Sequence, residues 1–244
     1  VTGLAFSADG ATLVSASLDR TLRWWHMDSG DAQAVENVGA PVRALALAPG
    51  QGRLALALEG GAVAFISAEP ALTQPASIAI GPGQSRVQPS SFSVRGLSWS
   101  HDGALLALAC DDGSVRLWDA RGVEQAALAS HSNWTRAVAF APCDALLASG
   151  GDDYSVRLWR LSDGALLHTC KGHSGNVTTV AFVDNDTLAS ASLDRTVRLW
   201  RVSDGAPIAT LEGHVGSVER VAALPATGQI ASASSDGTIR IWGV

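Results

Sequence analysis

The chain has 244 residues, 47% of them hydrophobic, enough to bury a continuous core, and a formal net charge of −6. The acidic balance argues against a general nucleic-acid surface, and no run of about 18 apolar residues offers a membrane span. Three cysteines (Cys110, Cys143 and Cys170), odd in number and without metal-ligand spacing, predict neither a disulfide framework nor a metal site.

In chain order, the predicted elements are strands throughout. VTGLAF at 1–6 opens the chain, and LVSASLDRTLRWW at 13–25 follows as two runs flanking an Asp-Arg-Thr turn. An eroded copy of that phrase, LALALEGGAVAFI, occupies 54–66. Residues 67–93 hold Pro70, Pro75, Pro82 and Pro89 and read as a long loop, with one short strand near 75–80. LALACDDGSVRLW (106–118), LASGGDDYSVRLW (147–159), LASASLDRTVRLW (188–200) and IASASSDGTIRIW (230–242) then repeat the phrase. An inner run such as VTTVAF at 177–182 precedes it, and a weaker run such as 206–211 follows. Alternation with a period of two, broken by turn residues, marks a β-meander. Asp112, Asp153, Asp194 and Asp236 are spaced by 41, 41 and 42 residues. A period near 41 residues with four strands per unit predicts a repeat architecture.

The recurring Gly-His pairs (Gly172–His173, Gly213–His214, with Ser130–His131 as a variant), the turn aspartates and the closing tryptophans resemble the WD-repeat β-propeller family over essentially the whole chain. Only Trp118 is followed by the family's Asp, as Asp119. The resemblance implies an all-β propeller with six visible blades, near 1–37, 38–80, 90–128, 131–170, 173–211 and 214–244, in one domain over 1–244. The sixth blade lacks a fourth strand and residue 1 already lies in an inner strand, which predicts a piece of a seven-bladed ring.

Ser, His and Asp recur together in a way that suggests a hydrolase triad. His131, Ser149, Asp153 and Trp159 form one set; His173, Ser190, Asp194 and Trp200 a second; His214, Ser232, Asp236 and Trp242 a third. Ser15, Asp19 and Trp25 keep part of the pattern in the first blade. Repetition argues against catalysis, because an enzyme needs one activated nucleophile. The resemblance implies a structural relay from Asp through His and Ser to the Trp indole. The second blade has Val38, Leu56, Gly60 and Ile66 at these positions, an all-apolar replacement that strands no donor. The third, with Ser90, Leu108, Asp112 and Trp118, is a compromise.

Two further register positions lie where the resemblance places a partner-binding face. Three residues after the His position stand Pro41, Ser93, Trp134, Asn176 and Ser217; five after it stand Thr2, Arg43, Arg95, Arg136, Thr178 and Glu219. Strand alternation sends these two positions to the same side. Trp and Arg dominate protein interfaces, so Arg43, Arg95, Trp134, Arg136, Asn176, Thr178 and Glu219 form the candidate protein-binding set, and an arginine arc favours an acidic or phosphorylated partner. Arg23, Arg116, Arg157, Arg198 and Arg240, two residues before each Trp, read as scaffold.

The expected function is a non-catalytic interaction scaffold or adaptor, without cofactor, nucleic-acid or membrane partner. The alternative is a sensor or substrate-recognition module cut from a larger signalling protein or ubiquitin ligase; Trp118-Asp119-Ala120-Arg121 resembles a docking motif for a cullin-ligase adaptor, with its upstream part broken. Sequons at Asn133, Asn176 and Asn185 point toward secretion, whereas the cysteine usage points to an intracellular, cytoplasmic chain.

Overall fold

The computed structural model describes residues 1–7, 9–68, 85–87, 92–129, 131–224 and 227–243. Among these residues there are strands and no helix. The first sheet orders β1 (Gly3–Phe6), β2 (Thr12–Ala16), β3 (Thr21–His26) and β4 (Ala32–Asn37) as an antiparallel meander. The second does the same with β5 (Val42–Ala48), β6 (Arg53–Leu58), β7 (Val63–Ser67) and β8 (Ser85–Val87). The third contains β9 (Val94–Trp99), β10 (Leu105–Cys110), β11 (Ser114–Asp119) and β12 (Glu124–Ala129). The fourth contains β13 (Thr135–Phe140), β14 (Leu146–Gly151), β15 (Ser155–Arg160) and β16 (Ala165–Lys171). The fifth contains β17 (Val177–Phe182), β18 (Thr187–Ser192), β19 (Val197–Arg201) and β20 (Pro207–Leu211). The sixth has three strands among the described residues: β21 (Val218–Leu224), β22 (Gln229–Ser234) and β23 (Ile239–Gly243).

One expectation needs correction. The outer strand of the second sheet is β8, where Val87 pairs with Val63 and Ser85 with Phe65. The segment expected to supply it, 75–80, lies outside the described residues. Prolines cannot donate to a ladder. Pro70, Pro75 and Pro82 precede β8, which begins past all three.

Two compact units divide the chain: 1–108 with 118–123, and 109–117 with 124–244. In the first unit, Val14, Leu22, Trp24, Val42, Leu54 and Leu56 pack together between the first two sheets. In the second, Val156, Leu158, Val177, Val180 and Trp200 fill the space between the fourth and fifth sheets, and Ala191, Val197, Leu199, Val218 and Ile230 that between the fifth and sixth. Strands such as β18, LASAS after Thr187, are buried on both faces, so small residues alternate with Leu or Ser and let neighbouring sheets approach.

The inner strands are not regular. β13 pairs Thr135 with Gly151 and then Ala137 with Gly150, leaving Arg136 as an extra residue. The same bulge falls at Arg43 in β5, Thr178 in β17 and Glu219 in β21. A bulge re-aims the extra side chain, so the simple alternation rule fails at the very position expected to line the binding face.

Candidate functional site

The three complete Ser-His-Asp-Trp sets adopt one geometry. In the fifth sheet, His173 Nδ1 lies 2.7 Å from Asp194, Nε2 2.7 Å from Ser190 Oγ, and the Trp200 indole N–H donates to that oxygen at 2.8 Å. The fourth sheet gives 2.7, 2.9 and 3.0 Å for His131–Asp153, His131–Ser149 and Trp159–Ser149. The sixth gives 2.9, 2.8 and 2.8 Å for His214–Asp236, His214–Ser232 and Trp242–Ser232. In the first sheet, Trp25 donates to Ser15 at 2.9 Å, while Asp19 binds its own turn through Thr21. A neutral imidazole with its proton on Nδ1 satisfies every member: it donates to Asp, accepts from Ser, and leaves Ser free to accept from Trp.

Each aspartate also receives backbone and hydroxyl donors. Asp194 accepts from Ser174 N, Thr196 N and Thr196 Oγ1. Burial pushes its carboxyl up, but bonds from His173 and Thr196 outweigh burial and hold it well below the ordinary carboxylate range. Asp153 behaves alike: burial raises it, and Ser155 and His131 win. Burial lowers the His131 pKa against the opposing pull of Asp153.

In the second sheet, Leu56 is fully buried and Ile66 nearly so. Trp24 of the neighbouring sheet finds a partner elsewhere, donating to Ala68 O at 2.8 Å. In the third, Leu108 and Trp118 are buried, Asp112 is bonded by Ser114 and Arg116, and Ser90 lies outside the described residues.

In the fifth and sixth sheets the arginine two before the Trp lies against the glycine before His. A Cβ on Gly172 would sit 2.7 Å from an Arg198 guanidinium nitrogen and 3.2 Å from the Trp200 ring. On Gly213, at φ +145°, it would meet Arg240 at 2.9 Å. Arg116 reaches Asp112 at 3.0 Å and Glu124 at 3.1 Å, and Arg157 reaches Asp153 at 3.5 Å. Arg121 of the Trp118–Arg121 motif is exposed and pairs with Asp119 at 2.9 Å.

The candidate binding residues divide in their surroundings. In the first unit, Arg43 forms an ion pair with Glu59 at 2.6 Å, and Arg95 is partly buried on β9. Thr2 donates its hydroxyl to Val42 O at 2.7 Å. In the second unit, Trp134 is 40% exposed and its carbonyl accepts Asp152 N at 2.8 Å. Arg136 grips both carboxylate oxygens of Asp152, and its guanidinium carbon lies 6.0 Å from the Trp134 ring centre. Thr178 is 7% exposed, and its hydroxyl bridges to Val218 O at 2.7 Å, so it stitches neighbouring strands instead of facing outward. Asn176 O accepts Leu193 N at 3.0 Å. Glu219 is exposed on β21. Sequence reasoning missed the acids Glu59 and Asp152 that neutralise Arg43 and Arg136, though both follow their arginine by sixteen residues. Asp111 stands at the same spacing after Arg95.

No group of three or more His, Cys, Asp or Glu side chains is arranged to hold a metal among the described residues. Burial pushes the Cys110 thiol up to about 12 and the Cys170 thiol up to about 11, so neither is a thiolate nucleophile.

No curated protein matches the sequence. Among solved structures, a chain in "Crystal Structure of Mitotic Checkpoint Complex" is similar, with a TM-score of 0.84 and 24% identity over 99% of this chain and 73% of that one, a likeness of fold. The family model "WD domain, G-beta repeat" matches residues 1–26, 84–119, 122–160, 164–201 and 205–243. With that model covering well over half its length and six meander sheets in succession, the chain belongs to the WD-repeat family and has its β-propeller fold.

Proposed function

We propose that the chain is a non-catalytic scaffold or adaptor module that docks a protein or peptide at the sheet ends where the inner strands begin. WD-repeat domains generally mediate protein–protein interaction. The observation that carries the reading to particular residues is Trp134, a large aromatic left 40% exposed and flanked by the Arg136–Asp152 pair. Exposed aromatic anchors on a rigid scaffold are what interfaces use.

The Ser-His-Asp sets support the same reading from the other side. Ser149 and Ser190 are 0% exposed, and each accepts an indole N–H with the oxygen a nucleophile would need. The reading carries an intracellular location with it, supported by three free cysteines.

The test is capture of partners from cell extract, identified by mass spectrometry, with the wild type and with Trp134→Ala/Arg136→Glu. The expected result is loss of specific partners at an unchanged melting temperature. Identical partner sets from two folded proteins place binding away from Trp134.

A further inference from the structure

The turn after each second strand holds its central residue in the left-handed backbone region. The six equivalents are Arg20 (φ 73°), Gly61 (85°), Gly113 (84°), Tyr154 (65°), Arg195 (73°) and Gly237 (82°). Glycine is the residue this conformation favours, and three of the six turns use it. A bulky side chain there is held at a conformational cost that something must offset.

Inside the second unit, no side-chain bond among the described residues offsets it. Tyr154 and Arg195 are exposed, and among the described residues each bonds only through its backbone, Tyr154 N to Gly151 O and Arg195 N to Ser192 O. The adjoining Asp194 makes no ion pair with Arg195; its oxygens serve His173, Ser174 and Thr196. Where the fourth sheet has Asp152 to neutralise Arg136, the fifth has Leu193 at the equivalent point. Arg195 is therefore an available cation and Arg136 is a masked one.

Building on the interaction-module reading, we propose that Arg195 selects an acidic side chain of the bound peptide, while Trp134 and Tyr154 seat an apolar residue beside it. β13 packs next to β17 and β17 next to β21, so the second unit presents three stations in order: aromatic on the fourth sheet, cationic at Arg195, anionic at exposed Glu219. An acidic group is drawn to the middle station and repelled from the last, which fixes where the acidic side chain sits. The occupant is a peptide segment with an apolar residue beside an aspartate or glutamate.

Panning the 244-residue chain against displayed random peptides of about twelve residues, roughly 40 Å extended, tests this. The expected pool pairs an acidic residue with an aromatic or aliphatic one. Its binding to Arg195→Gly falls about fivefold, the upper end for an exposed ion pair, and falls further for Arg195→Glu. Arg195→Gly melts at the same or a higher temperature, because glycine relieves the turn. A pool without acidic residues, or one that binds wild type and Arg195→Gly alike, overturns the proposal and leaves the module reading intact. Failure to enrich any peptide overturns both.

Discussion

Asp152 closes on Arg136 with both carboxylate oxygens, and Glu59 closes on Arg43 across the same sixteen-residue spacing. Two of the three arginines that read as an electropositive arc, Arg43 and Arg136, are thus neutralised by an acid from their own sheet's turn. The more exposed Arg43–Glu59 pair contributes about 0–1 kcal/mol, whereas the Asp152 side chain is only 9% exposed. Asp152→Asn is expected to destabilise by about 1–3 kcal/mol while loosening the hold on Arg136. Its signature is a binding affinity for acidic peptides that becomes more salt-dependent than that of wild type. Identical salt slopes for both proteins would contradict the masking.

The polar sets are expected to act on stability. Asp194→Ala or His173→Ala should destabilise by about 1–3 kcal/mol by leaving buried partners unsatisfied. Trp200→Ala should cost about 3–5 kcal/mol through the cavity. Urea unfolding of the three variants checks both values. Hydrolase activity that vanished on Ser190→Ala in a folded protein would overturn the structural assignment.

Stability should fall with pH in two stages. The His131 pKa is depressed on folding, so the unfolded chain binds its proton first; the stability this contributes is complete above the ordinary value of 6.5 and is lost as pH falls below it. Asp153 and Asp194 are depressed too, so their contribution is present above the ordinary 3.8 and is lost at lower pH. Melting temperatures from pH 8 to 3 should therefore decline below about 6.5 and again below about 4. His131→Gln should flatten the first decline; a variant with the wild-type profile would remove His131 as its source.

Gly172→Ala should destabilise by less than about 1 kcal/mol, because its Cβ meets the movable end of the Arg198 side chain at 2.7 Å. Adding Arg198→Ala should recover part of that loss. Additive losses in the double mutant would rule out the contact as the reason for glycine.

The strand meander and the Asp-His-Ser-Trp spacing were legible because each is repeated, so a chance match in one unit is checked by the next. Outside the repeat, legibility ended. The outer strand of the second sheet was expected before Pro82 and forms after it, at Ser85–Val87. The bulge at Thr178 adds a residue without any composition signal, so the alternation rule aimed Thr178 outward when its hydroxyl bonds Val218 O. Tyr154 and Arg195 carried no signal as display positions, because propensity alone does not reveal that their turn demands φ near +70°. The acids opposite Arg43 and Arg136 could have been read, since the sixteen-residue spacing is visible in the sequence.

The recurring bulge also bears on how such a chain diversifies. An extra residue outside the ladder can be exchanged without shifting the register of its neighbours, and Arg43, Arg136, Thr178 and Glu219 show four side chains of three charge types accepted at one point. Each of these four sheets therefore offers one address where new recognition chemistry can be written at little cost to folding. Duplicated units can acquire different partners by changing single codons while their cores stay alike.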